Sequence, residues 1–317
     1  MKKSILVTGG AGFIGSHLCE KLLAGGNHVV CLDNFLTGSM ENIRHLMENK
    51  EFELVRCDIM EKAKMMKVFK NGVDLVFHEA AVVGVKLTME KPKLVLDANI
   101  TGTRNVLDCA LDSGCKKFVS ASSSEVYGEP VEIPEKEDNV LNAKLPYAVA
   151  KLTGEKYCRA YYDEHGLNTT SLRYFNVYGP RQNSTPYGFV VGIFIQRALE
   201  GKPPVIFGDG TQTRDFTYID DCIKATILAS KSNKAEGEYL NIGTGVRVEI
   251  KDLAERIIGM SSKNLKPEFA PEREHEIRHR QADITKMKKI LGFLPRFDLN
   301  RGLKLTMDWY SENPPKK

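Results

Sequence analysis

The sequence has 317 residues, of which 42% are hydrophobic, enough for a large buried core in two domains or in one large domain. Its 45 basic and 41 acidic residues are interspersed and leave a net charge of +4, so the composition gives no reason to expect nucleic acid or a membrane surface as a partner. An uninterrupted run of about 18 apolar residues does not occur in the sequence, which argues against a membrane span.

Short β-branched runs alternate with longer helical patterns in the first half of the chain. Six strands are predicted at Ile5 to Thr8, Val29 to Leu32, Phe52 to Arg56, Leu75 to His78, Lys117 to Ser120 and Asn168 to Arg173. Strands that alternate with helices are typical of crossover units, so we expect an α/β fold with a doubly wound parallel sheet. After about Asn176 the chain is richer in Pro and Gly, and a last helix is predicted over Leu303 to Tyr310.

The seven cysteines are widely spaced and include no C-x-x-C pair. This pattern favours reduced packing residues over metal ligands, so we expect a cytoplasmic protein without a bound metal. Glycines soon interrupt the first apolar run, which favours a buried strand over a signal peptide.

Three glycines follow the first predicted strand at every third position, Gly9, Gly12 and Gly15. A glycine-rich turn between a strand and a helix lets the backbone pass close to a pyrophosphate, which then contacts the N–H groups at the helix start. Asp33, at the end of the second predicted strand, stands near the roughly 20-residue offset of an acid that holds the adenosine ribose. A carboxylate there would repel a ribose phosphate, so the pattern predicts NAD rather than NADP. The alternative is a tight turn that binds nothing.

Tyr147 and Lys151 form the pattern Y-x-x-x-K, and residues four apart lie on one face of a helix. The pKa of a free Tyr lies near 10, whereas a general base needs a pKa nearer the operating pH. Lowering it by about three units takes roughly 4 kcal/mol, which Lys151 and a positively charged nicotinamide could supply together. A surface helix pair is the alternative for the motif taken alone.

The spacing G-x-x-G-x-x-G after Thr8 resembles the extended short-chain dehydrogenase/reductase superfamily rather than the fingerprint G-x-G-x-x-G. Further motifs carry the same resemblance: His78-Glu79-Ala80-Ala81 after strand four, Asp58-Ile59 after strand three, and Asn99 in DANITGT. The resemblance covers most of the chain. The cofactor-binding residues that it implies are Gly9, Gly12, Phe13, Ile14, Gly15, Asp33, Asn34, Thr37, Gly38, Asp58, Ile59, Ala80, Ala81, Asn99, Tyr147 and Lys151.

Two later motifs, RYFNVYGPRQ and GDGTQTRDFTYIDD, resemble the nucleotide-sugar epimerases, above all the UDP-glucose 4-epimerases. The resemblance implies that Asn176 and Arg214 bind UDP and that Arg278, in EIRHRQADITK, binds the diphosphate. Planar guanidinium donors suit phosphate oxygens. It also implies that Ser123, in SASSSEVYG, hydrogen-bonds the sugar 4-hydroxyl.

This resemblance implies a Rossmann-like NAD-binding domain over residues 1–175, with residues 212–240 rejoining it, and a smaller C-terminal α/β domain over 176–317 that binds the UDP-sugar. It implies a homodimer through a helix bundle. The expected activity is a UDP-sugar 4-epimerase, with transient oxidation at C4 and re-reduction without facial preference. Tyr147 would take the proton of the 4-hydroxyl. The resemblance also places Thr285 beside the sugar C2 substituent, where its small side chain is compatible with an N-acetylated UDP-hexosamine as well as UDP-glucose or UDP-galactose.

Other activities stay open on the same fold. The triplet Ser123-Ser124-Glu125 lies between the epimerases and the Thr-Ser-Glu of the UDP-glucuronate decarboxylases, so Ser124 and Glu125 are candidate substrate contacts. Lys86, in VGVKLT, could meet a sugar carboxylate as in UDP-glucuronate 4-epimerases, or be a solvated loop lysine. A non-catalytic NAD-sensing protein is a further alternative, although such relatives lose the Tyr and Lys that this chain retains.

Overall fold

A parallel sheet forms the centre of the molecule. The computed structural model describes residues 2–184, 188–273 and 277–314, without the side chains of residues 85–87. The strands are β1 (Ser4–Thr8), β2 (His28–Asp33), β3 (Phe52–Arg56), β4 (Leu75–His78), β5 (Lys117–Ser123), β6 (Asn168–Tyr174), β7 (Val177–Tyr178), β8 (Val205–Phe207), β9 (Thr213–Arg214), β10 (Thr217–Tyr218), β11 (Glu238–Ile242), β12 (Val248–Glu249) and β13 (Glu268–Ala270). Seven of them, in the order β11-β6-β5-β4-β1-β2-β3, form the main sheet.

Helices cover both faces of this sheet. The α-helices are α1 (Phe13–Ala24), α2 (Lys62–Phe69), α3 (Val85–Glu90), α4 (Pro92–Leu96), α5 (Gly102–Asp112), α6 (Pro146–His165), α7 (Val190–Leu199), α8 (Ile219–Lys231), α9 (Ile250–Met260), α10 (Thr285–Leu291) and α11 (Leu299–Glu312). Helices α1 and α8 pack together on one face, whereas α2, α5 and α6 pack together on the other. The predicted doubly wound α/β fold is confirmed.

The inner strands β1, β2 and β4 are buried along most of their length, which is why their sequences read as continuous apolar runs. Ile5, Leu6 and Val7 of β1 are all at most 2% exposed. Two predicted strands, Phe52–Arg56 and Leu75–His78, match the structure to the residue. The fifth strand continues three residues beyond its prediction, through Ala121, Ser122 and Ser123. These residues are buried, but their small side chains, two of them polar, do not extend the apolar run that marks the strand in the sequence.

The chain returns to the sheet after residue 212. Helix α8 packs against α1, and β11 then pairs in parallel with β6, from Glu238 opposite Thr170 to Ile242 opposite Tyr174. Strand β11 was not among the strands predicted from the sequence. The remaining short strands form three two-stranded sheets, beside which α7, α9 and α11 pack together.

The termini of the long helices follow the sequence. Helix α6 begins with Pro146 at its first position and ends at Gly166 in the left-handed conformation, as expected for a proline start and a glycine stop. The last helix begins at Leu299, four residues earlier than predicted, because the Asp298 carboxylate caps it by accepting from the Arg301 N–H at 2.9 Å.

All seven cysteines lie among the described residues, and each is a buried free thiol. Within the same residues, a group of His, Cys, Asp or Glu side chains suited to a metal ion does not occur. The helices there also lack a stretch long and apolar enough to cross a membrane.

Candidate active site

The glycine loop connects β1 to α1 at the carboxyl edge of the sheet. Gly9 has φ +69°, and a Cβ there would lie 2.7 Å from the backbone of Ala80. A Cβ at Gly15 would lie 2.1 Å from the Gly9 carbonyl oxygen, and one at Gly12 would lie 3.1 Å from it. Glycine is therefore required at Gly9 and Gly15 for the loop to close on itself and on the neighbouring strand. Helix α1 starts directly behind this loop, with Phe13 and Ile14 in its first turn and Gly12 as its N-cap.

Asp33 ends β2 beside the glycine loop. Its Oδ2 accepts from the Ala11 N–H at 2.9 Å and its Oδ1 from the Phe35 N–H at 2.7 Å. Burial raises the pKa of this carboxyl, while the two backbone bonds act in the opposite direction. A Cβ at Gly38 would lie 2.9 Å from both carboxylate oxygens, so the loop after β2 also folds closely over Asp33. The structure thus brings Asp33, Gly38 and the glycine loop together.

Asp58 and Asn34 meet at the ends of β3 and β2. The Asn34 Nδ2 donates to Asp58 Oδ2 at 2.7 Å, and both side chains remain accessible. Thr37 is exposed in the same loop region. Ile59 is buried, and its backbone carbonyl accepts from Asn105 at 3.1 Å. This edge of the sheet therefore has the polar groups that the sequence places at the adenine end of a cofactor.

The motif after β4 is held by a buried imidazole. His78 Nδ1 lies 2.8 Å from Thr8 Oγ1 and Nε2 lies 2.9 Å from Thr103 Oγ1. Burial lowers the pKa of His78 to about 3, so the ring is neutral and ties β1 and β4 to α5. The Ala80 N–H donates to Thr8 Oγ1 at 3.4 Å. His78 therefore fixes the backbone of this motif.

Asn99 supports the segment that follows. Its amide forms two bonds with the backbone of Val82, from Val82 N to Oδ1 at 2.7 Å and from Nδ2 to Val82 O at 2.9 Å. Since Ala81 precedes Val82, Asn99 holds the chain in place just beyond Ala80 and Ala81. Its side chain acts here on the protein backbone.

Ser123, Tyr147 and Lys151 meet at the end of β5. Tyr147 and Lys151 lie one turn apart near the start of α6, with the Lys151 Nζ 5.8 Å from the centre of the Tyr147 ring. The Ser123 hydroxyl lies close enough to the Tyr147 phenol to lower the pKa of the phenol. Lys151 Nζ donates to the carbonyl of Ala121 at 2.6 Å, which holds the ammonium at the strand end. The three predicted catalytic side chains are thus adjacent.

Burial sets the protonation of these groups. It raises the pKa of Tyr147, as do the nearby carboxylates of Glu125 and Glu79, while the bond from Ser123 lowers it. Burial lowers the pKa of Lys151 to about 8, against an opposing contribution from Glu79. The lowered Tyr147 pKa expected from the sequence is not produced by these protein groups and stays a prediction for the complex with a cationic cofactor.

A 3₁₀ turn, Ser124–Tyr127, follows the catalytic serine. Ser123 caps it by accepting from the Glu125 N–H at 3.2 Å. Gly128 ends it with φ +62°, where a Cβ would lie 2.1 Å from the Asn142 carbonyl. The Ser124 side chain is buried, whereas that of Glu125 is 38% exposed.

The predicted UDP-binding arginines come together from distant segments. The Thr213 N–H donates to the Arg278 carbonyl at 2.9 Å, so Arg278 lies beside Arg214 on β9. A cavity of about 650 Å³ opens here and is lined by Thr211, Thr213, Gly245, Val246, Arg247, Glu249, Arg278 and His279. The Arg278 guanidinium donates to Asp209 at 3.0 Å.

Asn176 lies at the end of β6. Its backbone has a positive φ of 32°, and its Nδ2 donates to the carbonyl of Asp215 at 3.1 Å. The residue therefore sits between the main sheet and the segment that carries Arg214. The predicted role of Lys86 concerns a side chain outside the described residues.

Several residues at this edge were not predicted as site residues. Glu79 accepts from the Tyr174 hydroxyl at 3.0 Å, and burial raises its pKa to about 7. Arg247 lines the cavity beside Arg278. Arg280 and Glu135 form a buried pair beneath the turn that follows Ser123. Glu79 lies within the motif after β4 and Arg280 lies two residues beyond Arg278, so both could have been noticed in the sequence. The pairing of Arg280 with Glu135 could not, because no rule of sequence spacing links the two positions.

Comparisons with known proteins agree with this geometry. A family model, the NAD dependent epimerase/dehydratase family, matches residues 5–243. The UDP-N-acetyl-alpha-D-glucosaminuronate decarboxylase of Bacillus cytotoxicus is 41% identical over 98% of this chain and 99% of that protein. The crystal structure of the UDP-glucose 4-epimerase of Thermotoga maritima with UDP-glucose matches with a TM-score of 0.93 and 36% identity, over 98% of this chain and 99% of that one.

A third match is the UDP-glucuronic acid 4-epimerase of Bacillus cereus, solved with UDP-glucuronic acid and NAD, at a TM-score of 0.91 and 37% identity over 98% and 99% of the two chains. The fold and the Ser-Tyr-Lys arrangement define an extended short-chain dehydrogenase/reductase. The chain belongs to the NAD-dependent epimerase/dehydratase family and is an NAD-dependent enzyme. The resemblance seen in the sequence is confirmed.

The residues at the sheet edge fit the cofactor. Gly9 and Gly15 let the backbone pack tightly in front of α1, where a pyrophosphate can approach the N–H groups at the helix start. Asp33 ends the next strand and offers lone pairs beyond the two bonds that it already accepts. When bound, NAD would supply a reversible two-electron oxidation, and Tyr147 and Lys151 would be the adjacent groups for proton transfer.

Proposed function

We propose that the protein is a UDP-sugar 4-epimerase that interconverts UDP-glucose and UDP-galactose, or the corresponding N-acetylated UDP-hexosamines. The observation that carries this proposal is the position of Lys151 at the end of β5, where its ammonium is bonded to the Ala121 carbonyl at 2.6 Å and lies 5.8 Å from the centre of the Tyr147 ring, with Ser123 beside the phenol. That arrangement suits removal of a proton from a secondary hydroxyl.

Each of the three residues has one task in the proposed reaction. Ser123 orients the 4-hydroxyl by a hydrogen bond, Tyr147 takes its proton as C4 becomes a ketone, and Lys151 keeps a positive charge beside the phenol. Tyr147 then returns the proton when C4 is reduced on its other face. Arg214, Arg278 and Asn176 hold the UDP part, which leaves the sugar free to turn.

The experiment is to incubate the purified protein with NAD and, separately, UDP-glucose, UDP-N-acetylglucosamine and UDP-glucuronate, and to separate the products. We expect a C4 epimer of a neutral UDP-sugar without accumulation of NADH. Y147F should lower kcat by about 100- to 10,000-fold, the usual contribution of general acid–base catalysis. Y157F, on the same helix, is the matched control and should retain activity.

A second candidate is action on a UDP-uronate, as a 4-epimerase or a decarboxylase. It is favoured by Glu125, which lies close enough to Tyr147 to raise the pKa of the phenol, and by the 41% identity to a uronate decarboxylase. Release of carbon dioxide and a UDP-pentose from UDP-glucuronate alone would establish this candidate and contradict the first.

We further propose the homodimer, the cytoplasmic location and the division into an NAD-binding domain and a UDP-sugar-binding domain at about residue 175. The return of α8 and β11 to the main sheet supports the part of this division that assigns residues 212–240 to the first domain. Light scattering of the purified protein tests the dimer.

A further inference from the structure

A buried ion pair lies directly beneath the turn Ser124–Tyr127. Arg280 is 1% exposed, and its Nη1 donates to Glu135 Oε1 at 2.7 Å. Glu135 is fully buried, and its Oε2 accepts from the Gln281 N–H at 3.0 Å. A buried pair of this kind needs good geometry and further hydrogen bonds to offset its desolvation. The other hydrogen bonds of the Arg280 guanidinium show which part of the chain it holds in place.

Those contacts are with the two ends of the turn. Nη1 of Arg280 also donates to the Ser124 carbonyl at 2.5 Å, and Nη2 donates to the Gly128 carbonyl at 3.2 Å. Nη2 lies 3.5 Å from Glu125 Oε1. A planar guanidinium can span two carbonyls and a carboxylate in fixed directions, which a lysine ammonium cannot. Arg280 thus fixes the start and the end of the turn that Ser123 caps.

A second buried arginine holds the other side of the same turn. Arg173 donates to both carboxylate oxygens of Glu155, each at 2.8 Å. Its Nη1 also donates to the Tyr127 hydroxyl at 2.8 Å and to the Glu137 carbonyl at 3.0 Å. The Ser122 hydroxyl donates to Glu155 at 2.6 Å. The residues before and after Ser123 are therefore anchored from opposite sides.

The segment that carries Arg280 also carries Arg278. It pairs with the loop at Glu135, which donates from its N–H to the Gln281 carbonyl at 2.7 Å and accepts at its carbonyl from the Asp283 N–H at 2.8 Å. Within residues 278–283, Arg278 lines the cavity and Arg280 contacts the turn Ser124–Tyr127, which we call the catalytic turn because it follows Ser123. This short segment spans both ends of the proposed substrate site.

We propose that Arg280, held by Glu135, is a positioning residue that fixes Ser123 against the sugar and joins the catalytic turn to the segment that binds the diphosphate. The inference rests on the proposed function, since it assigns Ser123 to the sugar and Arg278 to UDP. Arg280 acts through the turn, since its guanidinium is bonded to the carbonyls of Ser124 and Gly128 and to Glu135.

The test is R280K, which keeps the charge and removes the planar fork. We measure kcat and KM on the preferred UDP-sugar, and by calorimetry the Kd of UDP and of the UDP-sugar with NAD present. We expect kcat to fall on the order of 10- to 100-fold, as for a small misplacement of a catalytic group. The Kd of UDP should stay within about 2-fold of the wild-type value, whereas the Kd of the UDP-sugar should rise. The ratio of the Kd of UDP to the Kd of the UDP-sugar, which measures the affinity contributed by the sugar, should therefore decrease. R256K, in a half-exposed pair with Asp252, is the matched control and should change none of these values.

An unchanged kcat together with unchanged binding of the sugar would overturn the proposal. So would an equal loss of affinity for UDP and for the UDP-sugar, since this would place the effect at the diphosphate or on the whole fold. If R280K does not fold, E135Q replaces it and should show the same split, with a smaller loss of kcat. If the wild-type protein turns over no UDP-sugar, the proposed function fails, while the two Kd values still decide whether Arg280 supports the sugar end.

Discussion

The cofactor end and the proposed substrate end of the candidate site are built by different means. At the cofactor end, Gly9 and Gly15 leave out side chains so that backbones can approach to distances that a Cβ would prevent. At the substrate end, Arg173 and Arg280 are charged side chains that are each 1% exposed and bonded to backbone carbonyls and carboxylates. The cofactor end depends on close approach of backbone segments, and the substrate end depends on buried charged side chains. Substitutions at the two ends should therefore impair the protein for different physical reasons.

The largest effect is expected at the cofactor end, from G15A. The added Cβ would meet the Gly9 carbonyl oxygen at 2.1 Å, and this contact is with backbone that cannot turn aside. We expect the free energy of unfolding to fall by about 3 kcal/mol, since overpacking costs roughly 1 to 3 kcal/mol and occasionally more. NAD binding should become too weak to detect at micromolar concentration. Urea unfolding and calorimetric titration with NAD measure the two effects.

G259A is the matched control for this substitution. Gly259 lies in helix α9, and an added Cβ meets no atom within 4 Å among the described residues. Alanine should there stabilise the fold by roughly 0.5 to 1 kcal/mol, because glycine is the more flexible residue in the unfolded chain. Normal NAD binding by G15A would show that the loop can relax and that space is not what the glycine provides.

At the substrate end, R173M should leave the Glu155 carboxylate buried without its partner. Removing one member of a buried pair typically costs about 3 to 5 kcal/mol, whereas replacing both by apolar residues is often neutral. We therefore expect R173M to lose about 3 kcal/mol of unfolding free energy and R173M/E155M to recover most of it. Thermal and urea unfolding of the two variants measure the difference.

The double variant separates stability from positioning. It removes the acceptor of the Ser122 hydroxyl and the donor to the Tyr127 hydroxyl, so the anchors on one side of Ser123 are lost even when the fold is restored. Its kcat should remain low. A stable double variant with normal kcat would mean that the buried charges serve the fold and not the catalytic turn.

The predictions for the cofactor end come from local patterns in the sequence. Glycines at fixed spacing, an acid at the end of the next strand and a Tyr and Lys one helical turn apart act within short segments. The parallel sheet follows from alternating strands and helices, and its carboxyl edge brings their ends together. Tyr147 and Lys151 lie one turn apart on α6, with the ammonium 5.8 Å from the centre of the phenol ring, and their catalytic role stays a prediction.

The substrate end depends on contacts that spacing does not encode. Arg280 meets Glu135 across 145 residues of sequence and Ser124 across 156. In the sequence each of these charges has the same appearance as a solvated surface residue. Strand β11 was missed for a related reason, since its place is set by pairing with β6 rather than by a pattern of its own.

Glu79 is an exception to this contrast, because it is a buried ionisable side chain at the cofactor end. The Tyr174 hydroxyl donates to Glu79 at 3.0 Å and lies 2.9 Å from Thr226 Oγ1. The titrating groups that interact with Glu79 are Lys151 on α6, Tyr147 on α6, Tyr174 on β6 and Cys222 on α8. Its carboxylate raises the pKa of both Lys151 and Tyr147.

E79Q should therefore give the smallest but most direct effect, a shift in pH dependence. Without the carboxylate, the pKa values of Tyr147 and Lys151 both fall, so both limbs of the profile of kcat/KM against pH should move to lower pH. E255Q, at an exposed position on α9, is the control and should leave the profile in place. Limbs that move to higher pH, or do not move, would exclude this electrostatic role.

Stability gives a second measure of Glu79 that is independent of turnover. Burial raises its pKa from an ordinary value of 4.5 to about 7, so between these values the folded protein binds more protons than the unfolded chain. The contribution of Glu79 to the free energy of unfolding must then decrease as the pH rises from about 4.5 to about 7. Glutamine cannot titrate, so the unfolding free energy of E79Q should fall less steeply than that of the wild type over this window. If the unfolding free energies of the wild type and E79Q, measured by urea titration, have the same slope against pH, Glu79 is already ionised at pH 5. Lys151 would then stabilise the buried carboxylate more strongly than its position suggests.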